Sequence, residues 1–481
     1  MLKQKALGGV IWSAIDSLSN QLITFIIGIV LARLLSPEEF GLIGMIAIFI
    51  GISQVLINSG ISDALIRKKD IDDSYYNTAF IFNAFISVIL YLILFISAPY
   101  ISDFYEKPIL TDIVRLLSFT LILNAFTLVQ KAQITREIKF KALAKVSLAS
   151  SVLSGIIAII LAYYDYGVWS LVWMNVIASI ISLLVFWKLT GWVPKLSFDK
   201  LAFKDMFGFG SRLMILGLID TIYNNIYFLI IGKYYSAGDL GQYTRAETFK
   251  RLPSHSIGQI IQRVTYPLLS KIQDDDVRLK KSYRQILKAT MLISISGMFI
   301  LSLVAEELTI ILMGSQWTEA GEYLKILCYS GFFYPLIMLN SNILKVKGES
   351  GKILKIGLYR KVFSSVLIFI VIYYGIKPFL YAMILQQIAA FIAISWYGKS
   401  LINYSIMDQI KDFIIFLILG IATNLLITLF INIIAIEGIY IIFSLKLVLS
   451  ISFILLILFL IKDKTFYFLI NTLKSLRNAR R

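Results

Sequence analysis

Cysteine and histidine are all but missing from this chain of 481 residues, which has one of each, Cys328 and His255. A lone cysteine excludes an internal disulfide, and one thiol with one imidazole leaves no ligand set for a zinc site. Charge is scarce as well. Only 16% of the residues are Asp, Glu, Lys or Arg, where a soluble globular domain carries about 25%. No glycine-rich phosphate loop of the kind used by ATP-driven pumps is present, so ATP is not the expected energy source. No connection between apolar runs exceeds about 20 residues, too short for the soluble domain expected of a membrane-embedded glycosyltransferase or polymerase.

What the chain has in excess is apolar surface, with 58% hydrophobic residues. Runs of about 20 apolar residues, enough to cross about 30 Å of hydrocarbon, recur along its whole length. The bilayer is therefore the solvent. Runs this long and non-alternating must be helices, because lipid leaves no partner for unpaired backbone groups. The expected fold class is an all-α integral membrane protein with about fourteen transmembrane helices. They begin near Gly9, Phe40, Asn77, Leu110, Ala142 and Val168, then Met206, Tyr243, Ile286, Tyr323, Ile353 and Pro378, and last Phe413 and Gly438. The first stretch follows Lys3 and Lys5 but carries Asp16, Ser17, Asn20 and Gln21, and it has no small-residue cleavage site. It reads as a retained helix rather than a signal peptide.

The segment from Tyr243 to Pro267 fails on hydropathy, since it holds Arg245, Glu247, Lys250, Arg251, His255 and Arg263. Loop charge decides for it. Lys and Arg favour the cytoplasmic ends of short loops, and here they fill every second loop, as in Arg67 to Lys69, Arg136 to Lys145, Lys195 to Lys204, Lys271 to Arg284 and Lys345 to Lys355. The connections Tyr163 to Gly167 and Ala435 to Gly438 carry none. The alternation survives only if the polar segment crosses, which places both termini in the cytoplasm. Most of the +17 net charge is thus topology, not a nucleic-acid footprint.

Ser36-Pro37-Glu38-Glu39-Phe40-Gly41 is matched 200 positions later by Ser236-Ala237-Gly238-Asp239-Leu240-Gly241, and Tyr163-Tyr164-Asp165-Tyr166-Gly167 has a counterpart in Tyr373-Tyr374-Gly375. Two matches in one order predict duplicated six-helix lobes, residues 1–200 and 201–410, followed by a helix pair and basic tail at 411–481. Parallel repeats of this kind suit transporters whose halves rock about a central site.

Charges at helix centres cost about 2.5–3.5 kcal/mol each on insertion scales, so a cluster of them implies a wet cavity or mutual pairing. Glu247, Arg251, His255 and Gln259 recur every four residues on one stripe, which Arg263 continues and Lys250 flanks. Pro253 is expected to break or kink their helix. Arg212, Asp220 and Asn224 mark the seventh helix, and Asp16 and Asn20 the first. In the functional interpretation Arg212, Lys250, Arg251 and Arg263 bind a diphosphate, because the guanidinium fork matches phosphate oxygens in pairs. Asp16, Asp220 and Glu247 then couple an ion or balance charge, and Asn20, Asn224, His255 and Gln259 line the cavity. The plain alternative is that Glu247 neutralises Arg251, that Arg212 and Arg263 extend to the cytoplasmic interface, and that no ligand is involved. His255 is then a hydrogen-bonded stripe member rather than a proton relay. Trp12, Trp169, Trp173, Trp187 and Trp192 read as interface anchors.

Leu31-Ala32-Arg33-Leu34-Leu35-Ser36-Pro37-Glu38-Glu39-Phe40-Gly41, Ala64-Leu65-Ile66-Arg67-Lys68, Gln130 through Lys145, Tyr166-Gly167-Val168-Trp169-Ser170-Leu171-Val172 and Tyr266 through Asp274 occur in that order. On these segments the chain resembles the Wzx-type polysaccharide exporters, the colanic-acid-like branch of the multidrug/oligosaccharidyl-lipid/polysaccharide superfamily. The resemblance implies two six-helix lobes plus two helices. It also implies a flippase that moves an undecaprenyl-diphosphate-linked repeat unit across the bacterial inner membrane by alternating access. It implies no enzyme and no cofactor, only H⁺ or Na⁺ as coupling ion. The expected partners are the lipid-linked oligosaccharide, membrane lipids and a polysaccharide polymerase or export machinery, around a monomeric transport unit. The competing function within the superfamily is a cation-coupled multidrug exporter, which would call for an acidic cavity; in another class, it is the glycosyltransferase or polymerase already disfavoured. A flippase for the peptidoglycan precursor, also an undecaprenyl diphosphate, shares the general chemistry.

Overall fold

The computed structural model describes residues 2–68, 70–434 and 436–478, with side chains from residue 18 onward except at 350, 400, 472, 473 and 475–478. Among the described residues every regular element is a helix. Twelve stretches are long and apolar enough to cross a membrane. The first helix and the polar ninth, the two further crossings expected, are not among those twelve.

The chain divides into two compact units, 1–244 and 245–481. The first holds α1 (Leu2–Leu34), α2 (Pro37–Asn58), α3 (Ile61–Arg67), α4 (Asp73–Tyr105), α5 (Leu110–Arg136), α6 (Phe140–Tyr163), α7 (Val168–Thr190) and α8 (Lys200–Tyr234). There α1 packs on α6, α4 on α5, α7 on α5 and α6, and α2 on α8. Phe80, Ile61, Leu65, Val129 and Met206 form a shared core. Trp187 and Trp192, expected at the interface, both set their rings edge-on to Phe80, and the Trp187 indole N–H donates to the Phe126 carbonyl at 2.9 Å. Asp199 caps α8 by accepting from the Leu201 and Ala202 N–H groups, and those bonds hold its carboxyl below the usual carboxylate range. Its own N–H donates to Thr78 at 2.9 Å, tying the α7–α8 connection to α4.

Helix α9 (Ala237–Ser270) begins in the first unit and continues into the second. The second unit adds α10 (Asp276–Leu303), α11 (Ala305–Met313), α12 (Thr318–Gly331), α13 (Phe333–Val346), α14 (Ser350–Tyr374), α15 (Ile376–Ile402), α16 (Ile406–Ile434), α17 (Ile439–Leu460) and α18 (Lys464–Asn478). The span expected from Tyr323 is thus two helices joined at Phe332. Pro335, third in α13, has no N–H to return to the Gly331 carbonyl, which accounts for the break. The last helix is an element that the basic-tail reading did not foresee. It packs on α10 with Thr465 buried.

Candidate functional site

Helix α9 runs unbroken through Pro253 and Pro267, so of the break or kink expected at Pro253 the break does not occur. Its polar stripe divides by partner. Lys250 turns inward, its stem against Gly331 of α12, and its ammonium pairs with Glu247 at 2.5 Å. A buried ammonium needs a counter-charge more than an exposed guanidinium does, so Glu247 serves Lys250, whereas the plain alternative paired it with Arg251. Arg251 is exposed. His255 lies flat on Tyr334 of α13, ring centroids 4.2 Å apart and planes within 9°. Gly258, one turn on, leaves the room that this tyrosine ring occupies. The charges of both Arg251 and Lys250 act on His255. Gln259 is half-buried and Arg263 exposed.

In the first unit Arg212, Asp220 and Asn224 of α8 are all exposed. Eight residues of helix separate Arg212 from Asp220 by about 12 Å along the axis, too far for an ion pair. Asn20 accepts a hydrogen bond from the Ser151 hydroxyl at 2.6 Å and so joins α1 to α6. Asp16 lies outside the described side chains.

The repeated Ser-to-Gly motif has a structural meaning. Ser36 and Glu39 close a capping box at the start of α2, with the Ser36 N–H donating to Glu39 at 2.6 Å. Ser236 and Asp239 do the same at the start of α9, at 2.9 Å. The two starts then cross each other. A methyl group on Gly41 would overlap the Ala237 carbonyl, and one on Gly241 would overlap the Pro37 carbonyl. Glycine is what lets two helix backbones meet this closely. Just beyond the other end of α2, Gly60 and Gly210 of α8 make a second such approach.

Within the second unit, buried ion pairs fasten the last two long helices. Asp412 of α16 receives both Arg284 Nε and Nη2, at 2.7 and 2.9 Å, Lys288 at 3.1 Å and the Tyr404 hydroxyl at 2.7 Å. Lys446 of α17 meets Glu307 of α11 at 2.7 Å, with side chains only 16% and 13% exposed. Beside α16 an open groove of about 620 Å³ is lined almost wholly by apolar side chains, including Phe299, Tyr329, Phe332, Phe333, Phe391 and Phe413. Asp412→Ala should cost about 2 kcal/mol, less than the 3–5 of a fully buried pair because Arg284 is half exposed. The check is thermal unfolding of the purified protein, where an unchanged midpoint would contradict it.

None of Tyr334, Arg360, Asp412 or the Glu307–Lys446 pair stood out in the sequence. Arg284 and the α14 lysines had been absorbed by the loop-charge pattern, and pairs separated by more than 100 positions leave no local spacing to detect.

The model of the family described as polysaccharide biosynthesis protein matches residues 30–322, more than half of the chain. The chain belongs to that family. Relatives by sequence include the teichuronic acid biosynthesis protein TuaB of Bacillus subtilis, 24% identical over 352 residues and 73% of each chain. The lipopolysaccharide biosynthesis protein WzxC of Escherichia coli is 23% identical over 69% of this chain and 68% of its own. A solved structure of the lipid II flippase MurJ, inward closed, superposes with a TM-score of 0.73 over 94% of this chain and 100% of that one, at 16% identity. An inward-facing multidrug resistance MATE transporter gives 0.62 over 81% of this chain and 98% of its own, also at 16%. At such identity the likeness is one of fold. This member of the polysaccharide biosynthesis family is therefore a multi-pass, all-helical membrane protein with the architecture of the multidrug/oligosaccharidyl-lipid/polysaccharide superfamily.

Proposed function

We propose that the protein flips an undecaprenyl-diphosphate-linked oligosaccharide repeat unit from the cytoplasmic to the periplasmic leaflet of the bacterial inner membrane, by alternating access coupled to H⁺ or Na⁺. The observation that carries this reading is the two-sidedness of α13. Phe333 faces the apolar groove, while the next residue, Tyr334, stacks on His255 among Lys250, Arg251 and Arg360. An anionic head joined to a long apolar tail is the chemistry that fits both sides. A cationic drug would find cations where it needs acids, which disfavours multidrug export.

The test is reconstitution of the purified chain in liposomes carrying a fluorescent polyprenyl-diphosphate oligosaccharide, with an impermeant quencher added outside. Protein-dependent access of the inner-leaflet label is expected. Quenching no faster than in empty liposomes would refute the function. Imposed proton and sodium gradients should speed it, and Asp220→Asn should remove that dependence if this carboxylate couples the ion.

A further inference from the structure

Helix α18 supplies no residue to the apolar groove or to the polar stripe of α9. Only residues 461–463 connect it to α17, at most about 10 Å of chain. They form a tight turn. Lys462 takes left-handed backbone at φ 52°, and its N–H and that of Asp463 donate to the Phe459 and Leu458 carbonyls, each at 3.1 Å. Because α17 is long and apolar enough to cross the membrane, α18 starts at the membrane surface and is tethered there. Its residues suit that place. Phe466, Leu469, Ile470, Leu473 and Leu476 recur at helical spacing on one stripe. Phe466, Leu469 and Ile470 are half-buried, whereas Lys464, Asn471 and Lys474 are exposed. From residue 461 onward Lys462, Lys464, Lys474, Arg477, Arg480 and Arg481 are set against a single acid, Asp463. That acid is committed to the cap of α18, where it accepts from the Thr465 and Phe466 N–H groups at 2.9 Å. Arg278 and Lys281 add exposed charge to the first turns of α10, the helix on which α18 packs. Among the described residues none of Lys462, Lys464, Lys474, Arg278 and Lys281 has an acid within ion-pair distance. A basic amphipathic helix held at the interface, with no acid of its own protein to answer it, is complementary to acidic lipid.

We propose that α18 is an interfacial helix that binds acidic phospholipid in the leaflet on the side of the basic loops, with Lys462, Lys464 and Lys474 as partners of the headgroup phosphates. Lipid is favoured over a protein partner because the short connection to α17 already holds these lysines at headgroup level. Their attraction to an anionic surface falls off within a Debye length, about 10 Å at 0.1 M salt. The contact has a structural consequence. The α10 helix under α18 carries Arg284 and Lys288, which hold Asp412 of α16, so bound lipid bears on the helix that fastens the closing segment.

The test uses the full chain in phosphatidylcholine nanodiscs, with a fluorophore on Asn471→Cys; Cys328 is buried and stays unlabelled. Phosphatidylglycerol or phosphatidylcholine bearing a nitroxide near the top of one acyl chain is added at the same small mole fraction. The spin-labelled phosphatidylglycerol should quench about fivefold more strongly, the enrichment that one nearby surface cation produces. Replacing Lys462, Lys464 and Lys474 together by glutamine should at least halve that ratio. A fluorophore on Tyr374→Cys, at the opposite and lysine-poor end, should give a ratio near one. Raising salt from about 0.05 to about 0.5 M should lower the ratio with the lysines intact, a readout that needs no altered charge on the helix. Equal quenching by the two lipids would overturn the proposal, as would a ratio that survives the loss of all three lysines. Quenching by neither lipid would place α18 away from the headgroups, in favour of a protein partner, and would overturn it too. None of these outcomes touches the flippase reading, which the flipping assay tests separately.

Discussion

Replacing Gly41 with leucine should reduce flipping at least tenfold while the protein still inserts into the membrane, and Gly241→Leu should do the same. The expectation follows from the crossing of α2 and α9, where even a methyl group on either glycine overlaps a carbonyl of the other helix. A backbone carbonyl within a capped first turn cannot rotate aside as a side chain can, so the helices must separate. Separation is a change of conformational population, not a loss of a substrate contact. It should therefore appear as faster labelling of a cysteine placed at Ser36 by an impermeant maleimide, in parallel with the lost activity. Wild-type flipping in both leucine variants would show that this crossing is not part of the cycle.

Arg251→Ala is expected to abolish surface polysaccharide, with the protein present in the membrane at normal amount. Its guanidinium is exposed and Glu247, its nearest stripe acid, is committed to Lys250, so removing it strands no partner and should leave the fold unharmed. Charge-assisted bonds of guanidinium to phosphate contribute about 1.5–3 kcal/mol, which corresponds to about a 10- to 100-fold loss of affinity. Arg212→Ala asks whether the first unit also contacts the phosphates. Normal polysaccharide in both variants would remove the diphosphate assignment, and a matching loss of protein from the membrane would mean that Arg251 serves stability instead.

The legibility of the chain varied with the range of the interaction. The polar segment that loop charge assigns to a crossing is a continuous helix, α9, although its own composition argues against one, and positive-inside bookkeeping reaches it by summing over many short loops. The Ser36 and Ser236 motifs could be paired from sequence since a capping box is local, spanning four residues. That the two capped ends touch through Gly41 and Gly241 could not be read, because nothing in one dimension says which helices meet. The same holds for Arg284. Its position fits a cytoplasmic loop, yet its side chain grips a carboxylate 128 positions away. Pro253 does not end α9: a proline inside a helix forfeits one hydrogen bond, and neighbouring helices in a bundle allow such a helix to continue.

Asp412 and the Glu307–Lys446 pair have a practical consequence for exchanging parts between homologues. The closing segment from Ile406 onward fails the usual test of a detachable module, because cutting it away would strand Lys288 and Glu307 as unmatched charges in the remaining helices. A chimera that imports this segment from another exporter has to import residues 284, 288 and 307 with it, or supply matching charges. Grafts that ignore that coupling should misassemble whatever their substrate preference.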